Sequence, residues 1–217
     1  MKGIVVFDVD GTLDYEKSSW RLLYDIYGAG SLSDDRFATF ESGKIDYEAL
    51  VGITLDDLKR LGLRREDVDR LSLRMRPRPE AAAVIRKLKN MGWEPIAVSA
   101  GVCNLTRRLL RSLGIDLAYC NYLEFDQSGA LAGAKILVNP AKKDLIVYGI
   151  LESLSLPKRA VVAVGDHAMD FSMFNESGHY LVLDGTSGSC DDGRGVHITS
   201  LSEVPYWIEL WQKTESP

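Results

Sequence analysis

The run Gly3-Ile4-Val5-Val6-Phe7-Asp8-Val9-Asp10-Gly11-Thr12-Leu13 constrains this chain more than any other stretch. A short β-branched segment bounded by Gly and closed by a Gly-Thr turn has the pattern of a strand buried on both faces, and such a strand needs a sheet covered on both sides. Strand side chains alternate, so Asp8 and Asp10 leave the strand end toward the same side. Two carboxylates held a few Å apart repel by about 1 to 4 kcal/mol at intermediate dielectric, so the pair calls for a cation or a shared proton. A calcium loop starting at Asp8 would need a Gly and a Glu where the sequence has Leu13 and Ser19. A metal of another kind is expected.

Beyond Leu13 the period changes. Residues 14–78 hold no β-branched run but several amphipathic stretches: Trp20, Leu22, Leu23, Ile26 and Tyr27 up to Gly28, a segment with Phe37 and Phe40 for which Ser33-Asp34-Asp35 offers an N-cap, a turn at Ile45-Asp46-Tyr47-Glu48, and Val68, Leu71 and Met75 on one face. Thr54-Leu55-Asp56-Asp57 reads as a further helix start. Trp20, Phe40 and Tyr47 are expected in the core of this insert, and Arg64, Arg65, Arg70, Arg74, Arg76 and Arg78 on solvated helix faces. Pro77 and Pro79 mark the return, after which helices at 80–91, 102–113 and 144–154 alternate with strands at 94–99, 117–119, 160–164, 180–183 and 196–198, and 122–125 with 130–138 reads as a hairpin. This is an α/β pattern: a Rossmann-like, three-layer core around a parallel sheet over residues 1–13 and 79–217, with a small all-helical cap inserted at 14–78. Gly185 to Gly195 is expected to be a surface loop.

Composition narrows the partners. With 217 residues the chain can bury a sizeable core, and a net charge of -5 argues against nucleic acid or an anionic membrane surface. Neither a signal-peptide pattern nor an apolar run of membrane-spanning length occurs, so a cytoplasmic location is expected. Cys103, Cys120 and Cys190 are odd in number and widely spaced, and are expected as reduced thiols.

Ligands of such sheets bind at the carboxyl ends of the strands. Four groups meet there: Asp8 and Asp10, then Ser99-Ala100-Gly101, then Lys142-Lys143 opening a helix, then Gly165-Asp166-His167-Ala168-Met169-Asp170. Each supplies something phosphate chemistry needs. A serine hydroxyl and the amides of a glycine turn can face a phosphoryl oxygen, a lysine counters its charge, and added carboxylates make an all-oxygen set suited to Mg2+. His167, between two of these carboxylates, is either a contact to the leaving group or a turn residue.

In order and spacing the four groups resemble the signature motifs of the haloacid dehalogenase-like superfamily, over residues 3 to about 183. The resemblance implies Asp8 as a nucleophile that becomes an aspartyl-phosphate and Asp10 as the acid/base. It implies a phosphoryl group bound by Thr12, Ser99, Ala100, Gly101 and a lysine, Lys143 giving the ungapped match and Lys142 the alternative. Mg2+ would be held by Asp8, Asp166 and the Val9 carbonyl, the Asp10 carbonyl being the alternative, with Asp170 supporting that shell. The insert looks like the family's type 1 cap, and Gly43-Lys44-Ile45-Asp46-Tyr47-Glu48 with Val98-Ser99-Ala100-Gly101 is similar to the phosphoserine phosphatase-like branch. That branch has a substrate-binding glutamate where this chain has Lys17, an arginine near Thr54, and a different interior to its last motif. The implied activity is hydrolysis of a small phosphorylated metabolite. A phosphomutase or phosphotransferase acting on a sugar phosphate is the alternative, and a non-catalytic binding module of the same fold the remaining one.

Overall fold

Gly3–Phe7 forms the expected strand, β1, and all of it is buried. It lies in a parallel sheet between β2 (Trp93–Val102) and β5 (Val161–Gly165). The computed structural model describes residues 1–183 and 192–214, and among these the sheet also contains β3 (Leu117–Phe125), β4 (Leu131–Lys135), β6 (His179–Leu183) and β7 (Gly195–Ile198). The order is β4-β3-β2-β1-β5-β6-β7, with only the β3–β4 pair antiparallel. Alternation along β1 sets the layers. Val5 and Phe7 enter one apolar cluster with Ile85 and Leu88 of α5 (Ala81–Asn90) and Leu105 and Leu109 of α6 (Cys103–Leu113). Ile4 and Val6 enter another with Val147 and Ile150 of α7 (Lys143–Leu154) and Met173 and Phe174 of α8 (Phe171–Phe174). The three-layer α/β arrangement follows from this two-faced burial.

Between β1 and α5 the chain runs through α1 (Ser19–Asp25), α2 (Gly30–Glu41), α3 (Tyr47–Leu61) and α4 (Arg65–Ser72). Two expected caps do not form. Helix α2 starts at Gly30, ahead of Ser33, and Thr54-Leu55-Asp56-Asp57 lies inside α3. The cap of α3 is Asp46, whose carboxylate accepts the Ala49 amide at 2.8 Å. The stripe Tyr47, Leu50, Val51, Thr54, Leu58 is buried along one continuous face, and that burial outweighs a competing cap signal in mid-helix. Strand β3 runs on through 120–125, joining the expected short strand to the hairpin. Helix α9 (Val204–Thr214), which the sequence reading did not anticipate, buries Val204 and Ile208 in the first cluster. Cys103 and Cys120, expected as widely spaced reduced thiols, are brought side by side by the fold, with Cα atoms 5.4 Å apart. Cys190 and most of the expected loop at 185–195 lie outside the described residues. Among the described residues no helix is long and apolar enough to cross a membrane.

The insert is joined to the sheet by two crossing segments that bridge at Asp14 and Pro77. The Arg78 amide donates to the Leu13 carbonyl and its guanidinium to the Gly11 carbonyl, each at 2.8 Å. Arg78 is buried, not on the solvated face expected for it, and stacks over Tyr15 at 4.6 Å. Asp14 sits in the same joint, fully buried. Burial pushes its carboxyl up to about 8, the charge of Asp10 adds to this, and the nearby Gly11 and Glu16 amides do not offset it. In the unfolded chain it titrates near its ordinary value of 3.8, so between these values the unfolded state gives up a proton that the folded state keeps. Stability from this group is therefore complete below about 4 and is lost as pH rises toward about 8. Asp14→Asn should remove that loss. Urea unfolding of both proteins at each pH is expected to give equal stabilities near pH 4 and a variant more stable by a few kcal/mol at pH 8; a variant less stable at pH 8 would show that the carboxylate is partnered.

Candidate active site

The strand ends converge as the alternation required. Asp8, Asp166 and Asp170 are buried, and an oxygen of each lies within 4.8 Å of the others. Lys143 Nζ stands 2.6 Å from Asp8 Oδ1 and 2.6 Å from Asp170 Oδ1. Lys142, one residue earlier, is exposed, so the choice between the two lysines falls to Lys143. Burial pulls the Lys143 pKa down, but the charges of Asp170 and Asp8 and their hydrogen bonds outweigh it and raise the pKa. Burial pushes the Asp8 carboxyl well above its ordinary value; Lys143 opposes this, while the charges of Asp170 and Asp10 add to it. Asp170 Oδ2 accepts the Asp166 and His167 amides, both at 3.0 Å, and so shapes the loop that carries Asp166. His167 acts as the turn residue: its Nδ1 accepts the Met169 amide at 3.3 Å. Clustered carboxylate oxygens, with no nitrogen or sulfur donor among them, suit a hard divalent cation, and an excess of negative charge over Lys143 favours one.

Asp10 is set apart from Asp8. The amide and hydroxyl of Ser19, at the start of α1, both lie 2.6 Å from Asp10 Oδ2, while Oδ1 is buried with no hydrogen-bond partner. Burial raises its pKa and the Ser19 bonds hold it down. Ser19 Oγ also accepts the Val102 amide at 2.7 Å, which ties α1 to the end of β2. Glycine at 101 is required here, since a Cβ would stand 2.6 Å from Asp10 Oδ2 and 2.5 Å from Ser19 Oγ. Ser99, Ala100 and Gly101 are presented by an irregularity in the sheet. Val98 pairs with Tyr119, but Val102 with Asn121, so the bulged stretch between them leaves the ladder and enters the cavity wall.

Two residues expected to contact phosphate or metal have other partners in this structure. Thr12 is fully buried beneath the site and donates its hydroxyl to Asp166 Oδ1 at 2.8 Å, so it orients that carboxylate and does not face the cavity. The Val9 carbonyl accepts the amides of Thr12, Leu13 and Asp14, at 3.1, 2.9 and 3.3 Å, which turns it into the loop and away from the carboxylates. Gly11 makes this turn at φ +82°, a conformation that L side chains resist.

Further contacts at the site, and Asn121 among the residues that make them, were not read from the sequence. Lys17 Nζ lies 2.7 Å from Asp166 Oδ2. The Ala100 carbonyl accepts the Trp20 indole at 2.9 Å, the Asn121 amide at 2.8 Å and the Tyr47 hydroxyl at 3.3 Å. Asn121 is fully buried and also accepts the Leu137 and Val138 amides. A buried asparagine inside an otherwise apolar strand was the signal available.

The family model described as haloacid dehalogenase-like hydrolase matches residues 3–178. The chain is similar to a phosphoserine phosphatase of Streptomyces coelicolor, 30% identical over 81% of this chain, and spans 42% of that protein's length. It is also 30% identical to a phosphoserine phosphatase of Methanocaldococcus jannaschii, over 82% of this chain and 83% of the relative. Among solved structures, one titled as a phospho-aspartyl intermediate analogue of phosphoserine phosphatase superposes with a TM-score of 0.76 at 24% identity, covering 94% of this chain and 98% of the other, a likeness of fold.

The Ser19 bonds make one outcome measurable without any substrate. Ser19→Ala removes a hydrogen bond that favours the ionised form of Asp10, so the Asp10 carboxyl should titrate at higher pH than in the wild type. Carboxyl-carbon NMR reads this directly, and a titration that stays in place or moves down would contradict it.

Proposed function

The chain belongs to the haloacid dehalogenase-like hydrolase family, and from that premise we propose that its site is that of a phosphatase: a Mg2+-dependent hydrolase of phosphate monoesters of small metabolites, in which Asp8 carries the phosphoryl group. The observation that carries this reading is the unlike setting of two neighbouring carboxyls. Lys143 holds Asp8 by Oδ1, while Ser19 holds Asp10 by Oδ2 and leaves its Oδ1 unpartnered. Pairs of acids whose surroundings differ in this way divide nucleophile from proton carrier.

Asp8 Oδ2 attacks phosphorus as the bond to the ester oxygen breaks, and Asp10 gives its proton to that oxygen. The raised pKa of Asp10 keeps the proton available. Asp10, now ionised, takes a proton from a water that attacks phosphorus, the bond to Asp8 breaks, and inorganic phosphate leaves. Lys143 remains charged throughout and faces the negative charge that gathers on the phosphoryl oxygens. Asp8, Asp166 and the Asp10 carbonyl would hold Mg2+, with Asp170 and Thr12 orienting them; when bound, the ion neutralises phosphoryl oxygens and favours ionised Asp8. Ser99 and the bulge it opens would take the remaining phosphoryl oxygens. The helical insert, joined at Asp14 and Pro77, would act as the cap that shields the reaction from water.

Release of free phosphate from a panel of phosphorylated metabolites tests this. Wild type with Mg2+ should release phosphate, chelation should stop it and added Mg2+ restore it, and Asp8→Asn should lower the rate on the order of a thousandfold or more. A fully active Asp8→Asn protein would contradict the assignment, and transfer to a sugar without phosphate release would mark a phosphotransferase.

A further inference from the structure

The cavity above Asp8 and Asp10 encloses about 540 Å³, within the usual range for small-molecule sites. Its floor carries the catalytic charges, and the insert side is largely apolar, the Arg21, Asp34 and Arg36 that also line it being paired within the insert. Roof residues come from the insert: Trp20 of α1, Phe37 of α2, and Tyr47, Leu50 and Val51, which share one face of α3. The three α3 residues form a small apolar cluster of their own, apart from the two that hold the sheet. Phe37 packs on Phe40 at 6.0 Å and Phe40 on Tyr47 at 5.8 Å, yet Phe37 is itself 38% exposed, an apolar edge that an occupant of the cavity would cover.

The polar atoms of this roof are already used. The Trp20 indole and the Tyr47 hydroxyl both donate to the Ala100 carbonyl, so each ring offers only carbon to the cavity. The cations of the insert are engaged as well. Arg21 binds Asp34 at 2.7 Å and Asp25 at 3.1 Å, Arg36 binds the buried Asp57 at 3.0 Å, and Lys17 reaches down to Asp166 at the phosphate end. Asp34, the carboxylate of the insert that lines the cavity, is the partner of Arg21. A substrate head carrying both an ammonium and a carboxylate would have to compete with these pairs for its partners or bury its charges against Phe37, Leu50 and Val51, and burying an unpaired charge is costly.

We infer that the site takes phosphate monoesters of apolar, uncharged alcohols, aliphatic chains of about four carbons or a single ring, in preference to phosphorylated amino acids. This rests on the phosphatase reading and narrows it. The phosphate would sit on the charged floor with the alcohol carbons against Phe37 and the α3 face.

Ethyl and n-butyl phosphate have leaving groups of nearly equal acidity, so their ratio of kcat/KM reports contact with the roof. Each methylene buried is worth about fourfold in binding, so n-butyl phosphate should exceed ethyl phosphate on the order of tenfold. It should also exceed phosphoserine, although serine is the better leaving group. Phe37→Ala, at a half-open position that the fold tolerates, should cut the butyl-to-ethyl ratio to about threefold or less, through KM. Preference for phosphoserine over n-butyl phosphate, or a ratio unchanged in Phe37→Ala, would overturn this assignment while leaving the phosphatase reading intact. Phosphate release from none of the three esters but from another member of the metabolite panel would overturn this assignment alone, and release from no member of the panel would overturn both.

Discussion

Lys143 Nζ stands 2.6 Å from both Asp8 and Asp170, and without a buried cation at this point the strand ends could not be drawn together. Removing one partner from such a group leaves uncompensated charge in a dry interior, typically at a cost of about 3 to 5 kcal/mol. The parallel sheet supplies the geometry. β1 and β5 are neighbours, so Asp8 and Asp166, each one residue beyond its strand, emerge side by side, and helix α7 opens at the lysine that answers them. Four carboxylates with one buried lysine still carry an excess of negative charge, and that excess makes the place suited to a divalent cation and a phosphate.

The same atoms that shape the site fasten the insert over it. Ser19 opens α1, fixes Asp10, and receives the Val102 amide from β2. The Ala100 carbonyl, freed from the sheet by the irregularity after Val98, gathers Trp20 and Tyr47 from the insert and Asn121 from β3. Arg78 closes the joint on the Gly11 carbonyl. Position of the insert and setting of Asp10 are therefore one property, because a shift of α1 moves Ser19 and with it the Asp10 carboxylate.

Much of this was legible in the sequence because it follows from short-range rules. Buried β-branched runs, glycine stops and the spacing of aspartates at strand ends located the sheet, the helices around it and Asp8, Asp10, Asp166 and Asp170, while Lys143 was preferred over Lys142 through the family resemblance. What was not legible depends on neighbours distant in the chain. Thr12 has the spacing of a phosphate contact, but Asp166, 154 residues away, takes its hydroxyl. The Val9 carbonyl was implied by the family resemblance, and a tight turn takes it up instead. Asn121 and Lys17 carry no local signature, since their partners come from other elements. Of the two helix caps expected in the insert, that at Thr54 failed where the buried stripe of α3 ran past it, and Ser33 lies inside α2, which starts at Gly30.

The central claim is that Asp8 becomes covalently phosphorylated. Acid quenching of the enzyme during turnover of a phosphate-labelled ester, followed by peptide mass spectrometry, tests it most directly. The structure predicts a labile phosphoryl group on the peptide carrying Asp8, gained at a rate no slower than turnover. A label on another residue, or turnover with no labelled peptide under conditions that trap acyl phosphates, would contradict it.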